Sequence, residues 1–130
     1  MTDTTGRSIA GMDECPPCTP EKAVASLVYS TFPDIGSAKT AARALVDSRL
    51  AACVNIVPGV VSIYRWKDAI EEDAECAVLV KTRRALVPAV MATIRANHPY
   101  ETPALVAYDI AAASPDYLAW IEESTVRAGT

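Results

Sequence analysis

For acid–base or metal chemistry in this sequence, the sole histidine is the natural starting point. His98 opens the segment His98-Pro99-Tyr100-Glu101. A neutral imidazole beside carboxylate oxygens suits Cu(II) or Zn(II). One histidine per chain cannot build a multi-histidine site. A metal would therefore need further copies of His98, or carboxylates such as Glu101 or Glu75 delivered across an interface. The plainer alternative is local: His98 closes a helix, hydrogen-bonds nearby backbone and fixes the turn at Pro99.

Cys15-Pro16-Pro17-Cys18 has metal or redox spacing. No second pair completes a four-thiolate zinc site, and the motif lacks the strand-to-helix setting of a thioredoxin-type dithiol. Cys53 and Cys76 lie in apolar runs and read as small hydrophobes, neighbours if their strands pair in hairpin register. Glu71, Glu72, Asp73 and Glu75 read as a solvated turn, since a cation site would need their oxygens to converge. Tyr64, Trp66, Lys81, Tyr100 and Trp120 are the side chains suited to line a cleft between subunits. Tyrosine and tryptophan bury large area while keeping a polar handle, so interface packing explains them as readily as ligand contact.

The elements that must position these groups fit one domain of 130 residues, with 51% hydrophobic and 22% charged residues. A formal net charge of −4 and the lack of any Lys/Arg run argue against nucleic-acid or anionic-lipid partners. No apolar stretch approaches the roughly 20 residues that span a bilayer. The polar N-terminus does not resemble a secretory signal, so a cytoplasmic setting with reduced thiols is expected. Residues 1–22 read as a disordered tail before a domain over residues 23–130, and Met12 is a second possible start.

AVASLVYST is a buried central strand, followed by FPDIG with Asp34 as N-cap. Ala38, Ala41, Ala42 and Leu45 then share one face of a helix ending near Leu50. AACVNIVPGVVSIYRW is a long strand with a bulge or bend at Pro58-Gly59. KDAIEED is expected as a polar turn into ECAVLVKT, the antiparallel partner. A second helix spans about Arg84 to Asn97, with Pro88 in its first turn. ALVAYDI is the fourth strand, and Ser114-Pro115 starts a short closing helix carrying Tyr117, Trp120 and Ile121. The order β-α-β-β-α-β plus a terminal helix predicts an α+β, ferredoxin-like sandwich with both main helices on one face.

The second strand would run to about 50 Å, whereas a helix of about 14 residues covers only about 21 Å. The hairpin must therefore project beyond its helices, carrying Val60, Val61, Ile63, Tyr64 and Trp66 into water. Pairing with a second subunit would cover that surface.

Four segments, LAACVNIVPG, SIYRWKDAIEEDAE, VKTRRALVPAVMATIRANHPYETP and SPDYLAWI, together resemble the CutA (divalent-cation tolerance) family over residues 25 to about 124. The resemblance implies a ferredoxin-like subunit, similar to the PII signalling proteins, in a stable homotrimer built by strand pairing. It implies no firm enzymatic reaction and no required cofactor, with Cu(II) or another divalent cation as the ion some members bind. It also supports the cleft positions in the YRW, KT and HPYE segments. Three departures stand out: Ala104 replaces the glutamate that usually follows HPYE-x-P, Ser30 replaces the cysteine of copper-binding bacterial relatives, and Asp68 replaces the hairpin glycine. Of three ligand positions only His98 remains.

The expected function is thus a trimeric, non-enzymatic protein that binds divalent ions such as copper and takes part in the response to them. The alternative is a PII-like sensor holding a small ligand or nucleotide in the intersubunit cleft, although a Gly-rich loop with adjoining Lys or Arg is absent. An acylphosphatase would need an arginine in STFPDIGS, which has none. An RNA-binding domain of the same strand order would need exposed aromatics and a basic face, which AVASLVYST and ECAVLVKT do not offer.

Overall fold

A computed structural model describes residues 24–127. The predicted tail over residues 1–22, with Met12, Cys15 and Cys18, lies outside the described residues. Four strands, β1 (Ala25–Phe32), β2 (Cys53–Trp66), β3 (Ala69–Arg83) and β4 (Val106–Asp109), form one sheet in the order β2-β3-β1-β4. Every neighbouring pair is antiparallel. Three helices are described: α1 (Ile35–Asp47), α2 (Val87–Ala96) and α3 (Pro115–Ser124). Each β-α-β unit straddles a strand of the other unit, as the split arrangement requires.

The core lies between α1, α2 and one sheet face. Val28 and Phe32 of β1, with Cys76, Val78 and Val80 of β3, meet Ala38, Ala41 and Leu45 of α1 and Val90 and Ile94 of α2. The alanines let α1 approach the strands closely. Asp34 starts α1 by accepting a 2.7 Å hydrogen bond from the Ser37 amide, and that bond holds its carboxyl below the usual carboxylate range. Pro88 falls at the first helical positions of α2, behind a 3₁₀ turn over Arg84–Leu86. Its missing N–H costs nothing there.

β2 and β3 follow the expected hairpin, with a correction at its tip. The polar run KDAIEED is not a turn. Only Lys67 and Asp68 turn the chain, both at positive φ (51° and 67°), and β3 already begins at Ala69. Two residues at positive φ give the tight turn whose twist matches antiparallel strands. Glu71, Glu72 and Asp73 are therefore strand residues opposite Tyr64, Ile63 and Ser62. Polarity misleads in this arm because it extends past the helices, where no residue need be apolar.

The bulge sits where expected: the pairing shifts between Val57 and Val60, with Gly59 at φ 79°. β4 is shorter than ALVAYDI, pairing only Val106 to Asp109 with β1 before Ile110 adds one bond to the Ala25 carbonyl. Helix α3 packs at the β1-entry end of the sheet, with Ile121 fully buried and Arg83 bonded to Thr125 and the Glu122 carbonyl. Ile94 belongs to the core cluster shared by helices and sheet and has no exposed surface. Ile94→Ala should lower unfolding stability by about 2–5 kcal/mol in a denaturant titration, the usual cost of truncating a fully buried side chain.

Candidate functional site

The polar groups of the hairpin collect on one face of β3 at the root of the arm. Alternate β3 residues Cys76, Val78 and Val80 face the helices, so Glu71, Asp73 and Glu75 share the opposite face. Ser62 donates to Glu75 Oε1 at 2.7 Å, and the Tyr100 hydroxyl donates to Glu75 Oε2 at 2.9 Å. Tyr64 donates its hydroxyl to Asp73. Two tyrosines thus hold two neighbouring carboxylates.

His98 positions Tyr100. Its Nδ1 accepts from the Tyr100 amide at 3.1 Å, which places the ring proton on Nε2, 2.6 Å from the Thr31 carbonyl that accepts it. The imidazole stacks on Phe32 with centroids 4.2 Å apart and lies 4.8 Å from the Tyr100 ring. The local reading of His98 describes this geometry.

The trio His98, Glu101 and Glu75 is not assembled within one chain. Both His98 nitrogens are engaged, Glu75 is held by Ser62 and Tyr100, and Glu101 is exposed in the loop. Among the described residues no three His, Cys, Asp or Glu side chains converge on a metal position. The donor set of the described residues does not fit a resident metal ion. Cys53 and Cys76 also stay apart: Cys53 pairs with Lys81 and Cys76 with Phe32, on opposite faces of the sheet.

The five cleft residues separate into three places. Tyr64 and Tyr100 belong to the carboxylate cluster. Trp66 stands at the arm's tip with Lys67 Nζ 5.5 Å above its ring. Lys81 lies six residues along β3 from Glu75, about 20 Å away at 3.3 Å per residue. It donates to Asn55 and, at 3.4 Å, to the hydroxyl of Tyr117, whose ring is 5.5 Å from that of Trp120. Sequence reasoning missed Asn55, Ser62 and Tyr117 as partners. The signals were there: Asn55 shares a face with Cys53 two residues earlier, and Tyr117 precedes Trp120 by three on a helix.

Electrostatics at the cluster follow from the carboxylates. The hydrogen bond to Asp73 favours the neutral phenol of Tyr64 and pushes its pKa up to about 12. Desolvation, then the bond to Glu75, raises Tyr100 to about 12 as well.

These features define a class of small α+β subunit in which an over-long hairpin, rather than an enclosed pocket, carries the polar cluster. The chain belongs to the CutA1 divalent ion tolerance protein family, which matches it over residues 26–124. The divalent-cation tolerance protein CutA of Thermus thermophilus is 48% identical over 99 residues, covering 76% of this chain and 96% of that protein. Mouse protein CutA is 44% identical over 100 residues, covering 77% of this chain but 56% of that protein. The chain thus spans little more than half the length of the mouse relative. Among solved structures, CutA from Xylella fastidiosa superposes with a TM-score of 0.78 at 40% identity, over 80% of this chain and 100% of that one. The Thermus thermophilus protein gives 0.76 at 46% identity, over 78% and 99%.

The folded state holds the Tyr64 and Tyr100 protons more tightly than the unfolded chain. Their contribution to stability is therefore complete below the ordinary value of 10.0 and is lost as pH climbs toward about 12. Ultraviolet titration should show two of the five tyrosines ionising late. Glu75→Gln should bring Tyr100 back toward its ordinary value and leave Tyr64 late.

Proposed function

We propose that this chain is a non-catalytic, homotrimeric protein of the divalent-cation response, assembled by pairing the hairpin arm of one subunit with the free sheet edge of the next. One observation carries the reading: the arm is regular strand, yet its apolar residues are bare in the single chain. Val61, Ile63, Trp66 and Ile70 are 62%, 68%, 58% and 70% exposed. A paired, twisted ribbon with that much apolar surface is stable only when covered.

The strand order supplies the geometry, since β2 and β4 are the two unpaired edges. They are unlike, so joining β2 of one copy to β4 of another is head-to-tail and must close into a ring or keep growing. Three is the ring size that the CutA resemblance implies. In such a ring Lys81, Trp120 and Trp66 can approach the Glu75–Tyr100 cluster of a neighbour, making one cleft from groups that one chain keeps apart. Direct contact with a divalent cation, Cu(II) included, needs donors from that neighbour. The unpaired Cys53 and Cys76 suit a reducing, cytoplasmic setting, although the Archaeoglobus fulgidus relative is described as periplasmic.

Light scattering after size exclusion should give three times the 13.8 kDa chain mass. The double variant Ile63→Asp, Trp66→Asp should shift the protein to single chains that keep their secondary structure by circular dichroism. A single-chain mass for the unaltered protein overturns the reading.

A further inference from the structure

A cleft of about 730 Å³ opens at the end of the sheet where β1 begins. The carboxylate cluster lies at the other end of β1, since Phe32 pairs with Cys76 and Ala25 with Arg83. About 23 Å of strand separates the two ends. Three arginines, Arg83, Arg84 and Arg127, stand on the wall of this cleft in a chain of formal net charge −4. Asp109 and Glu122 line the cleft too, so its formal balance is a single positive charge on an acidic protein.

Arg83 is held in place without an acidic partner. Its Nε donates to Thr125 Oγ1 at 2.9 Å and Nη2 donates to the Glu122 carbonyl in the last turn of α3. Thr125 is buried and itself donates to the Ile121 carbonyl at 2.8 Å, which fixes the whole arrangement. Among the described residues the half-buried guanidinium thus bonds neutral oxygens. A guanidinium carries five N–H groups, so these two bonds leave three. Arg84 gives its Nε to Asp109 at 3.1 Å, leaving four more. Asp109 also accepts from Ser26 at 3.0 Å, so that carboxylate is already engaged by two donors.

We propose that this cleft binds a phosphate monoester of a small metabolite, with the phosphate on Arg83 and Arg84. A phosphoryl group offers three oxygens to these two planar forks where a carboxylate offers two. Val24, Val87 and Pro88 supply an apolar wall for the organic part. The volume lies within the range of small-ligand pockets, about 300–1,000 Å³. Glu122 also lines the cleft, and its charge opposes an anion there. It acts as a limit on affinity, which makes it a useful test. The cleft is lined by one subunit's residues, with Ala107 and Asp109 on the β4 strand whose edge the assembly proposed above would pair.

Calorimetry of the 130-residue protein should be run with glycerol 3-phosphate, inorganic phosphate and succinate. The expected order is glycerol 3-phosphate tightest and succinate weakest. Arg84→Gln, at a half-exposed position that leaves the fold intact, should weaken glycerol 3-phosphate binding about tenfold, the loss of one charge-assisted pair. Glu122→Gln should tighten it several-fold, and Lys39→Gln, removing the same charge from α1, should change nothing. Absence of saturable binding by either phosphate compound overturns the proposal. So does tighter binding of succinate, or an equal loss with Lys39→Gln.

Discussion

The structure rests on a mismatch of lengths. A strand gains about 3.3 Å per residue and a helix about 1.5 Å, so fourteen residues of β2 outrun the thirteen of α1 more than twofold. The helices can cover only the inner half of the hairpin, where Val54 and Ile56 pack on the core. Everything beyond is a two-stranded ribbon with both faces uncovered. That ribbon is where the most exposed apolar residues stand, where the carboxylates accumulate and where one sheet edge remains open. The need for a neighbour and the placing of the polar cluster therefore share a cause.

The same constraint explains what the sequence made legible. Elements packed against the core declare themselves by periodicity: Ala38, Ala41 and Leu45 on α1, and Val90 and Ile94 on α2, were readable from spacing alone. The arm has no such code. Glu71, Glu72 and Asp73 read as a turn because polar runs in a compact fold usually are turns, yet here they are strand with nothing to bury. β4 was overestimated for a related reason, because Ala104 and Leu105 are apolar enough for a strand but lie outside the ladder. The bulge at Pro58-Gly59 was readable because backbone chemistry, not burial, determines it.

Contacts within the site were less legible than its members. Glu75 and Tyr100 lie 25 residues apart, and they meet only because His98 is anchored to the Thr31 carbonyl and passes a ring nitrogen to the Tyr100 amide. A histidine in a cation-related family invites a ligand role. Here it acts as a strut between the end of β1 and the loop that presents Tyr100. That role follows from which atoms the ring touches, which residue type alone could not reveal.

The bulge has one more consequence. On its inner side the paired residues are Val57 with Ala77, and on its outer side Val60 with Glu75, so Pro58 and Gly59 of β2 stand against Cys76 alone of β3. Losing one residue there would restore an even ladder and leave Tyr64 still opposite Glu71. Only the bend would go. The arm's bearing is thus adjustable independently of its partners, and a single-residue change at this joint could re-aim the whole ribbon toward a different docking angle without disturbing one pair along it.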